Sequence, residues 1–123
     1  MSLTTDPHPV TLAVVRDLAL ALPGVEEGTS YGTPSFRVRG RLLARLHDDG
    51  DGLVLRVDPT TREALAGADP VTFSVPEHYR AHPYVLVRLS TAGREELRAL
   101  LAEAWRGAAP KGLVRAYDAD RHA

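Results

Sequence analysis

The chain contains no cysteine. That excludes a disulfide framework, a thiolate metal site and a thiol nucleophile. It contains one lysine, Lys111, so fourteen of its fifteen Lys and Arg residues are arginine. Alongside many Ala and Gly residues, this bias towards arginine fits a GC-rich coding preference as well as a chemical demand. No apolar run approaches the ~18 residues of a membrane-spanning helix. The start, Met-Ser-Leu-Thr-Thr-Asp-Pro-His-Pro, has neither the basic opening nor the apolar stretch of a signal peptide, so a cytoplasmic protein is expected. A net charge of −1 over 123 residues is unlike the strongly basic body of a general nucleic-acid binder. Locally, however, residues 28–47 lack any acid and hold Arg37, Arg39, Arg41 and Arg45.

The length suits one domain with its own core. Residues 1–10 read as a loose lead-in, 11–117 as the domain and 118–123 as a tail. Thr11 can cap a helix to about Ala21, with Leu12, Val15, Leu18, Ala19 and Leu22 on one face and Pro23-Gly24 after it. A strand near Val25–Tyr31 and a turn at Gly32-Thr33-Pro34 follow. Asp58-Pro59 opens a short helix ended by Gly67, Val71–Val75 and Tyr84–Leu89 read as strands, and Ser90 or Thr91 caps a long helix to about Arg106. The segment from Pro110 to Tyr117 reads as a further turn or short helix.

The three middle strands can be registered by keeping each apolar set on one buried face. For Ser35–Leu46 this pairs Val38 with Leu42 and Phe36 with Ala44, across a three-residue loop Arg39-Gly40-Arg41. Asp49-Gly50 is a strong hairpin signal. It pairs Leu46 with Leu53, Ala44 with Leu55 and Leu42 with Val57. The open face then carries a row of Arg37, Leu43 and Arg56 and a row of Ser35, Arg45 and Val54, with Arg39 and Arg41 at a tip and Arg88 outward on the last strand. The resulting class is α+β: a two-layer sandwich of an antiparallel sheet with the N- and C-terminal helices packed on one face.

Several stretches resemble the YjbR/MmcQ family of small bacterial proteins: Leu18–Glu27, Tyr31-Gly-Thr-Pro-Ser-Phe36, Leu53-Val-Leu-Arg-Val-Asp58, His78-Tyr79 with the strand from Tyr84, and Ala109-Pro-Lys111. Together they cover about residues 11–117. The resemblance implies a frataxin-like (CyaY-like) sandwich and a double-wing DNA-binding arrangement, with DNA as the partner. The wings would be the tips at 39–41 and 48–51. The second tip, His47-Asp-Asp-Gly-Asp51, is acidic, and Gly112 stands where the family tends to have a basic residue.

The leading candidate site is therefore the arginine face. Arg37, Arg39, Arg41, Arg45, Arg56 and Arg88, with Lys111, could grip phosphates, Arg by bidentate hydrogen bonds. The alternative for the same residues is a solvated face whose Arg stems cover Leu43 and Val54. The expected role is non-enzymatic and cofactor-free: weak nucleic-acid backbone binding, or else binding of a protein or a small anionic ligand by the same face. Metal handling ranks third. His78 and His82 are four apart, but Pro76 and Pro83 bracket them and no third ligand is evident. Asp48, Asp49 and Asp51 lack calcium-loop spacing. Glu26 and Glu27, adjacent on a strand, point to opposite faces, which does not suit shared acid–base work; the resemblance implies that as family-typical residues they anchor the first strand. Tyr31, Tyr79 and Tyr84 could stack on bases or close the ends of the core. Trp105 falls on the apolar helix face. No nucleophile elbow, phosphate loop or dinucleotide fingerprint is present.

Overall fold

The computed structural model describes residues 10–121. The expected lead-in lies outside the described residues except for Val10, which is buried in the core. Six strands form one antiparallel sheet in the order β1-β2-β3-β4-β6-β5: β1 Val25–Ser30, β2 Thr33–Val38, β3 Arg41–Leu46, β4 Gly52–Arg56, β5 Phe73–Ser74 and β6 Tyr84–Arg88. Helix α1, Leu12–Leu20, precedes the sheet; α2, Pro59–Ala68, links β4 to β5; α3, Arg94–Ala108, and α4, Lys111–Arg121, follow it. This is the α+β sandwich expected, and α4 runs to Arg121, into the segment read as a tail.

Each helix start has a local cause. Thr11 Oγ1 accepts from Val14 N at 3.4 Å, and Asp58 accepts from Thr61 N at 3.0 Å ahead of Pro59. The long helix begins later than its capping candidates suggest. Ser90 gives its amide and hydroxyl to the Asp51 carboxylate, and Thr91 Oγ1 meets Thr72 Oγ1 at 2.8 Å, so Gly93 takes the cap position. The last turn before it, Leu89–Thr91, is 3-10.

The helix-side core gathers Val15, Leu18, Phe36, Val38, Leu53, Leu55, Val85, Val87, Leu97, Leu101 and Trp105. Trp105 is fully buried, donates its indole N–H to Pro23 O at 2.8 Å, and meets the Tyr117 ring of α4 edge-on at 4.9 Å. Arg106 closes the same joint by a two-point pair with Asp118 at 2.7 and 3.0 Å. Arg16 of α1 makes a two-point pair with Glu27 of β1 at 2.7 and 2.9 Å. Glu27 thus anchors the first strand to the first helix, the role the family resemblance implied.

The second hairpin has the expected register at Leu46 opposite Leu53 and Ala44 opposite Leu55, but the expected Leu42–Val57 pair is lost, since Leu42 faces the hollow while Val57 belongs to the helix-side core. The ladder continues to His47 and Gly52, leaving the four-residue loop 48–51. Asp49 accepts the amides of Asp51 and Gly52 at 2.9 Å each, and Asp51 ties the loop to Ser90. The acidic tip is a clamp on its own backbone.

The first hairpin corrects the expected loop. Phe36 does face Ala44, but Val38 faces Arg41 and Arg37 faces Leu42, so the turn has two residues, Arg39-Gly40. A bulge then inserts Leu43. The apolar pattern survives because the bulge switches faces: Leu43 is fully buried in the helix-side core, while Leu42 lies on the other face beside Arg37. The row of Arg37, Leu43 and Arg56 therefore does not exist as expected. The turn Tyr31-Gly32 joining β1 to β2 is of the same kind, again displaced from the expected Gly32-Thr33-Pro34. In both turns the two central residues have positive φ: 55° and 80° at Tyr31 and Gly32, 50° and 82° at Arg39 and Gly40. Such turns favour Asn-Gly; a Tyr or Arg in the left-handed region costs on the order of 1 kcal/mol.

Three carboxylates sit below their ordinary values: Glu27 through its hydrogen bond from Arg16, Asp49 through the amides of Gly52 and Asp51, and Asp58 through the Thr61 hydroxyl and amide. Lowered folded-state values mean stabilisation that is present above the unfolded values, near pH ~4, and lost as pH falls through the lower folded ones. The melting temperature should therefore be level near neutrality and fall below about pH 4. A pH series of thermal melts checks this, and Glu27→Gln should shrink the fall.

Candidate anion-binding hollow

The sheet face away from the main helical core was expected to be open, yet Val54 there is almost fully buried and is no part of the helix-side core. The cover is the segment between β5 and β6, with its 3-10 turn Glu77–Tyr79. It turns the face into a hollow of about 410 Å³ lined by Ser30, Tyr31, Arg37, Leu42, Arg45, Val54, His78, Tyr79, His82 and Tyr84. No lining residue is acidic.

The cover is held chiefly by one side chain. Arg62 of α2, 8% exposed, donates to the carbonyls of Tyr79, Arg80, His82 and Tyr84 at 2.7–3.4 Å. Its Nε has no hydrogen-bond partner, and the exposed Glu63 carboxylate stands 3.9 Å off. Arg62 thus fastens the backbone of a proline-bracketed segment that has no ladder partner of its own. It was absent from the sequence-derived candidates. The available signal was an arginine one turn before Leu65, on the stripe of α2 that faces the protein.

The arginines on this face are held differently. Arg45, half-buried, donates to the Tyr79 hydroxyl at 2.8 Å while its guanidinium lies 5.5 Å from the Tyr31 ring centre. Arg56 is outside the lining: its Nε is on Leu42 O at 2.8 Å, its guanidinium lies 5.7 Å from the Tyr84 ring centre, and it lines a separate pocket with Asp58 and Glu103. Arg37 reaches Gly40 O at 3.3 Å. Tyr84 meets Tyr79 edge-on, and His78 lies against Tyr79. Of the three tyrosines, Tyr79 is buried and Tyr84 half-buried, but Tyr31 is 87% exposed. Arg45, held by a ring face and one hydroxyl with no carboxylate in the lining, retains donors for an incoming anion, while Arg37 is held by a carbonyl.

The sequence-derived set is therefore divided. Arg37 and Arg45 come together in the hollow, and Arg56 lies outside its lining. Arg39 and Arg41 stay at the exposed tip, and pairing with Val38 turns Arg41 towards the helical side. Arg88 lies four residues from Tyr84 along β6, about 13 Å away; its Nε is on Val71 O, and it shares a small recess with Asp49 and Asp51. Lys111 begins α4, in the helical layer. Across the ladder from Arg37 stands Glu26. Among the described residues no three His, Cys, Asp or Glu are grouped to hold a metal ion, and His78 and His82 line the hollow without a third ligand. Among them, too, no helix is long and apolar enough to cross a membrane.

A family model described as YjbR matches residues 20–107. The uncharacterized protein Rv2570 of Mycobacterium tuberculosis and Mb2600 of Mycobacterium bovis are each 38% identical over 69 residues, 55% of this chain and 54% of theirs. The chain thus spans about half the length of the curated relatives it matches. The crystal structure of Deinococcus radiodurans protein DR2400, with the family-model domain DUF419, superposes with a TM-score of 0.69 at 28% identity, covering 84% of this chain and 80% of that one.

Proposed function

The chain belongs to the YjbR family, and from that premise we propose that it is a small non-enzymatic module that binds an anionic ligand in the hollow of its sheet. The observation that carries this reading is the lining itself: Arg37 and Arg45 in a concave, aromatic-walled space with no carboxylate among its lining residues. Its volume lies in the roughly 300–1,000 Å³ range of small-molecule sites. The lining offers donors and flat surfaces and no carboxylate.

A second reading, weak binding of a nucleic-acid backbone such as DNA, is favoured by the exposed tip with Arg39 and Arg41. Against it, the other tip is acidic, Arg88 sits with two aspartates and Lys111 belongs to the helical layer. The basic strip a duplex would track is thus interrupted.

Salt dependence separates the two. A small anion gripped in the hollow carries no condensed counterions and should lose affinity with salt only through ordinary screening, whereas about four duplex backbone contacts should give a slope of log K against log salt near −3.6. Calorimetric titration with pyrophosphate and anisotropy with labelled duplex measure both. Arg45→Ala should weaken pyrophosphate binding tenfold or more; unchanged affinity would remove the hollow from consideration. Duplex binding lost on Arg39→Glu but not on Arg45→Ala would select the tip.

A further inference from the structure

We propose that the ligand of the hollow carries a flat heteroaromatic ring as well as its anion, in short a nucleoside phosphate unit, with the ring stacked on Tyr31 and the phosphate held by Arg45 and Arg37. The inference rests on the anion-binding reading above and narrows its ligand class.

Tyr31 is the reason. It carries two costs with no structural return visible in the fold. Its backbone is in the left-handed region at φ 55°, in a turn that Asn-Gly would form with less strain. Its ring is 87% exposed, so it closes no core. The turn does not depend on the ring, for Thr33 Oγ1 bonds Ser30 O and Gly32 supplies the second positive φ. What the ring does contact is the Arg45 guanidinium, 5.5 Å from its centre. The rest of it remains open to solvent at the mouth of the hollow. A bare phosphate would gain nothing from such a platform. A base would gain a stack on Tyr31 while its phosphate reached the cation beneath. The other rings of the lining, His78, Tyr79, His82 and Tyr84, extend the same flat chemistry inward.

A free nucleotide and an unstacked nucleotide of a single strand present the same chemistry, and the test distinguishes them. Pyrophosphate, ribose 5-phosphate, AMP, a single-stranded octanucleotide and a blunt duplex are titrated against the intact protein and against Tyr31→Asn, Tyr31→Phe and Arg45→Ala. AMP should bind five- to a hundredfold more tightly than ribose 5-phosphate, the gain of about one base–aromatic stack. Tyr31→Asn should erase that gain, leaving AMP and ribose 5-phosphate with equal affinity, and should hold or raise the melting temperature; Tyr31→Phe should keep it. AMP equal to the octanucleotide identifies a free nucleotide. A tighter octanucleotide with the same Tyr31 dependence identifies a strand. Equal binding of AMP and ribose 5-phosphate, both lost in Arg45→Ala, overturns the ring requirement and leaves the anion site standing. Binding of none of these, pyrophosphate included, overturns both. Duplex binding that ignores Tyr31 also overturns the proposal.

Discussion

Arg62→Met is expected to abolish ligand binding in the hollow and to lower the melting temperature by about 10 °C, a loss of roughly 2–3 kcal/mol. Methionine keeps most of the side-chain length and removes the donors. The carbonyls of Tyr79, Arg80, His82 and Tyr84 then lose the cation that gathers them. His82 O and Tyr79 O still accept from Tyr84 and His82 amides, so the segment keeps local turns but no post. Tyr79 moves with it, and Arg45 loses the hydroxyl that holds it against the sheet. Native-state hydrogen exchange should show faster exchange of the amides of residues 77–84, with β2, β3 and β4 nearly unchanged. Arg62→Lys, with one compact ammonium in place of a fork, should fall between. Wild-type exchange and affinity in Arg62→Met would remove Arg62 as the fastening of the hollow.

Trp105→Ala should destabilise the fold more, by about 4 kcal/mol, or about 15 °C in melting temperature. The loss combines three contributions: a large cavity in the fully buried centre, an orphaned Pro23 carbonyl, and a released Tyr117 that frees α4. Trp105→Phe refills part of the volume but cannot donate to Pro23, so it should recover about half. Chemical denaturation curves of the pair check the ratio. An alanine variant within 1 kcal/mol of wild type would mean that α4 and the Pro23 turn contribute little to the folded state.

Much of the fold was legible from period and turn chemistry. The alternation in 44–55 and the Asp-Gly signal gave the second hairpin its register, and Thr11 and Asp58 marked two helix starts. The first hairpin was misread because strict alternation was assumed through Leu42-Leu43, two apolar residues between which sequence cannot choose. The bulge settled the choice by giving Leu43 to the core. The start of α3 was misplaced because Ser90 and Thr91 look like caps, whereas Asp51 and Thr72, remote in sequence, claim their hydroxyls. The arginines of the site were visible as a cluster; their enclosure was not. A loop between two prolines carries no period, and what closes it over the sheet is a side chain bonded to backbone carbonyls, an interaction that leaves no pattern in residue types.

The bulge at Leu43 also bears on how this strand can change length. On either side of it β3 is in phase with its partners, Arg37 with Leu42 before and Phe36 with Ala44 after. A chain lacking residue 43 would run as a regular ladder, with Leu42 and Arg45 still towards the hollow and Ala44 and Leu46 still towards the helices. A one-residue deletion there would cost core volume and leave the ligand face in frame; the same deletion one strand later, between Leu53 and Arg56, would exchange the two faces. Position 43 is thus where this strand can lose a residue without moving the ligand face.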